Sequence, residues 1–244
     1  MKRTLLLGLG SLSLLLAACG SGGGAASSGG LASKTPKQIL STAVAAATKS
    51  GSVHFTLLGK EAGKTETITG DTSNTDGREV ITAGAVSIQA EVVGNGAYVE
   101  GNSGGLQSQM GLSAANAATY AGKWISIAST DAPFSSITKA VSLSGTLGEL
   151  KPSGKLTLTP TTTKASQSVI GVHGGIPGGG AKGAKGTAVL YVSTTEPNVP
   201  VVFDVQQSSG TTKESDVGTF TKWGQPLHLV APTNTVAYSS LPAS

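Results

Sequence analysis

In the stretch Val86-Ser87-Ile88-Gln89-Ala90-Glu91-Val92-Val93-Gly94-Asn95-Gly96-Ala97-Tyr98-Val99, apolar Val86, Ile88, Ala90 and Val92 alternate with Ser87, Gln89 and Glu91. A period of two sends successive side chains to opposite faces, so this segment reads as a strand with one face toward a core. Gly94-Asn95-Gly96 is a tight-turn sequence that returns the chain as Ala97-Tyr98-Val99. Upstream, Val53, Phe55 and Leu57 share a face against His54 and Thr56. Residues 64–69 and 78–82 predict polar strands on either side of a turn region at 71–77. Short strands joined by tight turns make an antiparallel meander.

The second half repeats the theme. Strands are expected at 155–159, 167–172, 187–193, 201–207, 216–222 and 227–230, with a shorter one at 124–127. Thr35-Pro36-Lys37-Gln38 carries an N-cap, a first-turn proline and a capping-box partner. Ile39, Leu40, Ala43, Val44 and Ala47 then form a helical stripe that stops at Gly51. Residues 106–120 read as a helix or long loop, and 131–143 as a helix with Ile137, Ala140 and Val141 on one side. The run 174–183 is too Gly-rich for regular structure and is expected to be a hairpin loop. The expected fold class is α+β: a single large, curved antiparallel sheet with a few helices covering one face.

Composition supports strands over long helices. Gly, Ser and Thr (35, 30 and 29 residues) fill close to two positions in five of the 244. Charged residues are 12% of the chain, about half the ~25% of an average domain, which argues against a coiled coil or charged tail. A single Cys excludes an intramolecular disulfide, and three scattered His leave no structural zinc site.

The N-terminus reads as an address. Lys2 and Arg3 precede an apolar run from Leu5 to Leu16, shorter than the ~20 residues a spanning helix needs. The run ends in Leu16-Ala17-Ala18-Cys19-Gly20, which looks like a bacterial lipobox with Cys19 as the acylated residue. The expected division is a lipoprotein signal peptide at 1–18, acylated Cys19 and a flexible Gly/Ser tether at 19–33, and a globular domain at 34–244. Cleavage before Cys19 would leave 226 residues with 15 Lys+Arg against 13 Asp+Glu. No run of Lys or Arg survives in that mature chain, so neither nucleic acid nor electrostatic membrane binding is expected.

Several apparent motifs carry little. Gly101-Asn102-Ser103-Gly104-Gly105 matches G-x-S-x-G, with His173 or His228 available as base. The chain nevertheless lacks the strand–helix alternation of a hydrolase, and Ser103 reads as part of a Gly/Ser turn. Gly63-Lys64-Thr65 is followed by a strand rather than a helix, so it is no phosphate-binding loop. Ser136-Ile137-Thr138-Lys139 has no companion motifs, and the acidic residues are scattered without a catalytic pair. His54, His173 and His228 fall in or beside predicted strands without a second ligand at metal spacing. Trp124 and Trp223 read as core anchors. No catalysis, cofactor or metal is expected.

Gly96-Ala97-Tyr98-Val99, Lys123-Trp124-Ile125, Pro200-Val201-Val202-Phe203-Asp204 and the closing Phe220-Thr221-Lys222-Trp223-Gly224-Gln225-Pro226-Leu227 follow one another in a telling order. With the lipobox, tether and capped helix, they resemble the actinobacterial LppX/LprA/LprF/LprG lipoproteins, related in fold to the LolA/LolB carriers. The resemblance runs from about Thr35 to the C-terminus. It implies a half-barrel whose concave side, closed by helices, holds the acyl chains of a lipid or glycolipid. The signal peptide and lipobox lead to the expectation of export and of anchoring through acylated Cys19 to the outer face of the cell membrane, with a membrane transporter as a further partner of such a carrier. The inward residues expected to line such a cavity are Val53, Phe55, Leu57, Val86, Ile88, Val92, Leu190, Val192, Val201, Phe203 and Val205. The Gly-rich segment at 174–186 departs from the family. The rival expectation is the same fold with a filled core, acting as a scaffold that presents loops to a partner.

Overall fold

The computed structural model describes residues 30–177 and 185–242. Cys19, the apolar run before it, the Gly/Ser-rich stretch through residue 29 and residues 178–184 lie outside the described residues. Helix α1 (Pro36–Ser50) starts where the sequence places it. Thr35 Oγ1 accepts from the Gln38 N–H at 3.4 Å, and Gln38 Oε1 accepts from the Thr35 N–H at 2.9 Å, which closes the capping box. Gly51 ends the helix in the left-handed region at φ 78°. Its stripe of Ile39, Ala43 and Ala47 is buried.

Strands β1 (Ser52–Glu61), β2 (Lys64–Ser73), β3 (Gly77–Ala83), β4 (Val86–Val93), β5 (Gly96–Gly101) and β6 (Ile125–Ile127) form the first meander. The second consists of β7 (Ser153–Leu158), β8 (Thr162–Lys164), β9 (Gln167–Gly175), β10 (Lys185–Ser193), β11 (Pro200–Ser209) and β12 (Thr212–Thr221). A last short strand, β13 (Val236–Ala237), completes one 13-stranded curved sheet in the order β13-β6-β5-β4-β3-β2-β1-β12-β11-β10-β9-β7, with β8 against β9. The meanders meet at β1 and β12, where Phe55 stands opposite Phe220. Ladders are antiparallel except at the edge, where β13 runs parallel to β6 because the chain arrives there by a crossover rather than a hairpin.

In the sheet and its connections, three stretches differ from the sequence-based expectation. Strand β2 continues through Ser73, so Asp71 is in the ladder rather than in a turn; cross-strand partners His54 and Arg78 hold it there. Gly174 and Gly175 belong to β9, since a Cβ on Gly174 would come within 2.7 Å of the Ser153 carbonyl oxygen on the neighbouring strand. Residues 227–230 form no strand. Lys222 (φ 54°) and Gly224 (φ 76°) swing the chain out of the sheet, and Gly224 N–H donates to Ser52 O at 3.0 Å. Val230 is left 84% exposed.

Helices α2 (Ser103–Met110) and α3 (Ala114–Tyr120) lie between β5 and β6, and α4 (Phe134–Ala140) and α5 (Leu143–Glu149) lie between the two meanders. The break between α2 and α3 is Gly111, left-handed at φ 69°. The expected helix at 131–143 is interrupted because Ser142 caps a new one, its Oγ accepting from the Gly145 N–H at 3.1 Å. Among the described residues, the five α-helices all pack on one face of the sheet. Helices α1 and α5 pack on Val53, Phe55, Ile68, Leu190 and Phe203, while α2, α3 and α4 pack on Ile88, Val92, Val99, Ile125 and Ile127. Ile81 of β3 touches both clusters. Among the described residues, no helix is long and apolar enough to cross a membrane.

Candidate functional site

The concave face and its helical cover form the candidate site. Alternation along β1, β4, β10 and β11 aims the apolar set at the helices, and eight of the eleven residues named from the sequence are buried there. Val53, Phe55, Leu190, Val192, Phe203 and Val205 join the cluster under α1 and α5, with Leu57 half-buried against it. Ile88 and Val92 join the cluster under α2–α4. Val86 is half-buried at the rim of β4 beside Gly104. Val201 is placed differently. The ladder slips between Tyr191 and Val192, and Val201 packs with Val169, Val202 and Tyr191 in a separate cluster. A one-residue irregularity redirects a side chain that strict alternation would send inward.

The cover differs from the sheet it lies on. The only buried residues of α3 and α4 are Ala117 and Ile137, and those of α2 are Gly105 and Leu106. Close seating substitutes for bulk: a Cβ on Gly105 would lie 2.2 Å from Ser87 O, and one on Gly77 of β3 would lie 1.9 Å from Val141 O. Beneath α2–α4 the sheet presents Ile88, Val92, Val99, Ile125 and Ile127, an aliphatic surface without aromatic rings. Under α1 and α5 the aromatics are concentrated: Phe55, Phe220 and Trp223 run in series with ring centroids 6.3 Å apart, and Trp223 Nε1–H donates to Pro200 O at 2.9 Å. Trp223 is thus a core anchor, as its sequence context suggests.

Two hollows open at strand ends, and neither is lined by α2–α5. One, of about 110 Å³, lies where Lys222, Gln225, Pro226 and Leu227 pass beside His54 and Asp71. His54 Nδ1 and Asp71 Oδ1 are 2.7 Å apart, and Arg78 Nη2–H donates to Asp71 Oδ2 at 3.4 Å. The other, about 400 Å³, lies between the β1–β2 and β11–β12 hairpin tips. There Glu61 and Glu214 stand directly opposite across the β1–β12 ladder, and Gln207 Nε2–H donates to the Glu214 carboxylate. Partial burial, followed by the hydrogen bond and charge of Glu61, raises the Glu214 carboxyl above the ordinary carboxylate range.

A carboxyl raised by folding stabilises the fold while protonated. Its contribution is complete below the unfolded-state value near 4.5 and is lost as pH rises through the folded-state value. Glu214→Gln should therefore match the wild type in urea midpoint at pH 4 and exceed it modestly near neutrality. Equal pH slopes for the two proteins, followed by fluorescence-monitored unfolding, would show that this pair does not couple to folding.

Ser103 opens α2, and its Oγ accepts from Gln107 Nε2 at 3.1 Å within the same helix. The preceding β5 sits in antiparallel ladders on both sides, unlike the parallel strand that supports a nucleophile elbow. His173 Nδ1 lies 3.5 Å from Thr157 Oγ1 on the β7–β9 pair. Among the described residues, no group of three or more His, Cys, Asp or Glu side chains could hold a metal ion.

No protein-family model matches the chain, and no curated protein sequence matches it. Among solved structures it is similar to LprF from Mycobacterium bovis, at 14% identity and TM-score 0.49, covering 81% of this chain and 96% of that one. It is similar to lipoprotein LppX from Mycobacterium tuberculosis at 17% identity and TM-score 0.49, covering 80% and 99%. The MucA/MucB complex structure from Pseudomonas aeruginosa shows 12% identity and TM-score 0.41, covering 86% of this chain and 61% of that one. LprF and LppX are two of the lipoproteins that the motifs of this sequence resemble.

Proposed function

We propose that this chain is an exported lipoprotein, held by acylated Cys19 at the outer face of the cell membrane, that binds or shuttles a lipid or glycolipid. The acyl chains would lie between the concave face and helices α2–α4, with a membrane transporter as onward partner and no enzymatic step. The observation that carries this reading is the thinness of the cover over an aliphatic floor. Lifting α2–α4 opens a cluster of eleven buried residues, nine of them larger than alanine and worth roughly 1.5–3 kcal/mol each when fully exposed. A sixteen-carbon acyl chain laid in their place would return ~0.8 kcal/mol per CH₂, on the order of 12 kcal/mol. One acyl chain therefore offsets much of the cost of lifting the cover without exceeding it, which suits a carrier that must also release its lipid. The same floor would lack that exchange under α1, where aromatic rings already fill the space.

The filled interior favours a second reading, a scaffold that presents its loops to a partner. Native mass spectrometry of the domain begun after Cys19, before and after organic extraction, separates the two. A discrete lipid adduct lost on extraction is the expected result and would name the cargo class. A mass that stays free of adduct after incubation with host lipids would sink the carrier reading.

A further inference from the structure

Lysines far apart in sequence meet at one end of the sheet. Inward-facing Val53, Phe55 and Leu57 of β1 and Phe220 of β12 fix the two faces of these strands. Alternation then puts Lys60 of β1, Thr65 of β2, Lys213 and Ser215 of β12 and Gln206 of β11 on the outer face. The register sets Gln206, Ser215, Lys60 and Thr65 side by side across four strands. One row nearer the tips, Lys185 and Lys213 flank Ser208. Lys60, Lys185 and Lys213 are exposed, and Lys60 and Lys213 line the hollow of about 400 Å³, whereas Lys64 stands opposite Glu61 in the alternate set.

The acidic groups nearby are set off from these three outer-face lysines, and the lysine that Glu61 meets is Lys64, its cross-strand partner. Glu61 and Glu214 border the hollow but belong to the alternate, inward set of their strands. Glu214 is pushed toward its neutral form by burial and by Glu61. The acid on the outer face is Asp204, one row inward, occupied by the Gln206 Nε2–H at 2.8 Å. Three ammonium groups with hydroxyl and amide donors between them match the oxygens of phosphate groups.

We propose that this hairpin rim docks on the phosphate headgroups of an anionic bilayer, which rests on the reading of Cys19 as a lipid anchor. Leu31, buried in the core, stands twelve residues from Cys19, so the domain starts within ~40 Å of the anchor. Docking of the rim is then an intramolecular event, and it orients the domain with its convex edge toward the headgroups. A juxtamembrane lysine contributes roughly fivefold at an anionic surface, so three together shift the docked-to-undocked ratio by ~100-fold.

The test uses the full acylated chain in nanodiscs, with a fluorophore on the thiol introduced by Ser209→Cys and nitroxide-labelled lipid as quencher. Quenching is expected with phosphatidylglycerol present and not with phosphatidylcholine alone. It should vanish in ~1 M salt, where the Debye length falls to ~3 Å. The triple variant Lys60→Gln, Lys185→Gln, Lys213→Gln should lower the docked ratio ~100-fold, while Lys→Arg at the same positions should retain it. Equal quenching in both lipids, or no response to the triple variant, would overturn the proposal. So would loss of docking on adding millimolar inorganic phosphate at constant ionic strength, which would make the hollow a free-anion site. Intact mass reports acylation separately. If the chain carries no lipid, the anchor reading has failed, and the same label in a Cys19→Ser background still compares wild-type and triple-variant rims on vesicles.

Discussion

Gly77→Ala is expected to destabilise the domain by about 3 kcal/mol, at the upper end of what overpacking a core produces. The added Cβ would lie 1.9 Å from the Val141 carbonyl oxygen and 3.0 Å from its carbon. Both are backbone atoms at the end of α4, so no side-chain rotation relieves the contact. Either β3 or the whole α4–α5 segment must shift, and α4 is the weaker party because its only buried residue is Ile137. Urea unfolding should show the lowered midpoint. Hydrogen exchange should show the amides of α4 and α5 opening about 100-fold more readily, since 1.4 kcal/mol is a factor of ten. Strands β11 and β12, on the other half of the sheet, should change only through global unfolding. Gly84→Ala is the control. Gly84 sits at φ +59° with nothing within 4 Å of an added Cβ, so only the left-handed backbone is strained, at about 1 kcal/mol. Equal losses at the two positions would mean that the seating of the cover contributes nothing special.

That asymmetry also marks what the sequence makes legible. The capping box of Thr35 and Gln38 and the alternation of β4 are local properties, satisfied by neighbours within a few residues, and both are found as read. The faces of β1 and β10 follow from the same period. What period cannot express is the partner on the other side. Gly77 and Gly105 look like any other glycines in a Gly-rich chain, and their need for a missing Cβ comes from Val141 and Ser87, 64 and 18 positions away. Residues 227–230 alternate like a strand, yet the turn at Lys222–Gly224 removes them from the ladder. Val201 has the right parity and the wrong neighbours because the ladder slips at Tyr191/Val192. The basic rim is the clearest case. Lys60, Lys185 and Lys213 form no run in the sequence, so a reading by charge clusters excludes electrostatic contact with a membrane, and only strand register assembles them. Ser103 is the converse case, a motif whose letters are present while its parallel strand is not, as the missing strand–helix alternation already indicates.

Cys19→Ser should abolish membrane anchoring altogether, the largest effect expected of any single substitution in the chain. The thiol is the only one in the 244 residues, so no other side chain can take a thioether-linked lipid. Two acyl chains of about sixteen carbons, at ~0.8 kcal/mol per buried CH₂, hold a domain with a gross ~25 kcal/mol, whereas one chain alone binds reversibly at about 10⁴ M⁻¹. The variant loses both chains at once, since diacylglyceryl transfer precedes cleavage at a lipobox. It should accumulate as the uncleaved chain of 24.0 kDa rather than as a lipidated chain starting at residue 19. Its remaining apolar run, Leu5 to Leu16, is shorter than the ~20 residues needed to span a bilayer. Detergent phase partitioning of whole cells, with intact mass on each phase, reads both consequences. Wild-type chain in the detergent phase with added lipid mass, and variant without it, is the expected pair. An unlipidated wild-type chain cleaved elsewhere would end the lipoprotein reading, and the rim lysines would then have to find the bilayer without a tether to raise their local concentration.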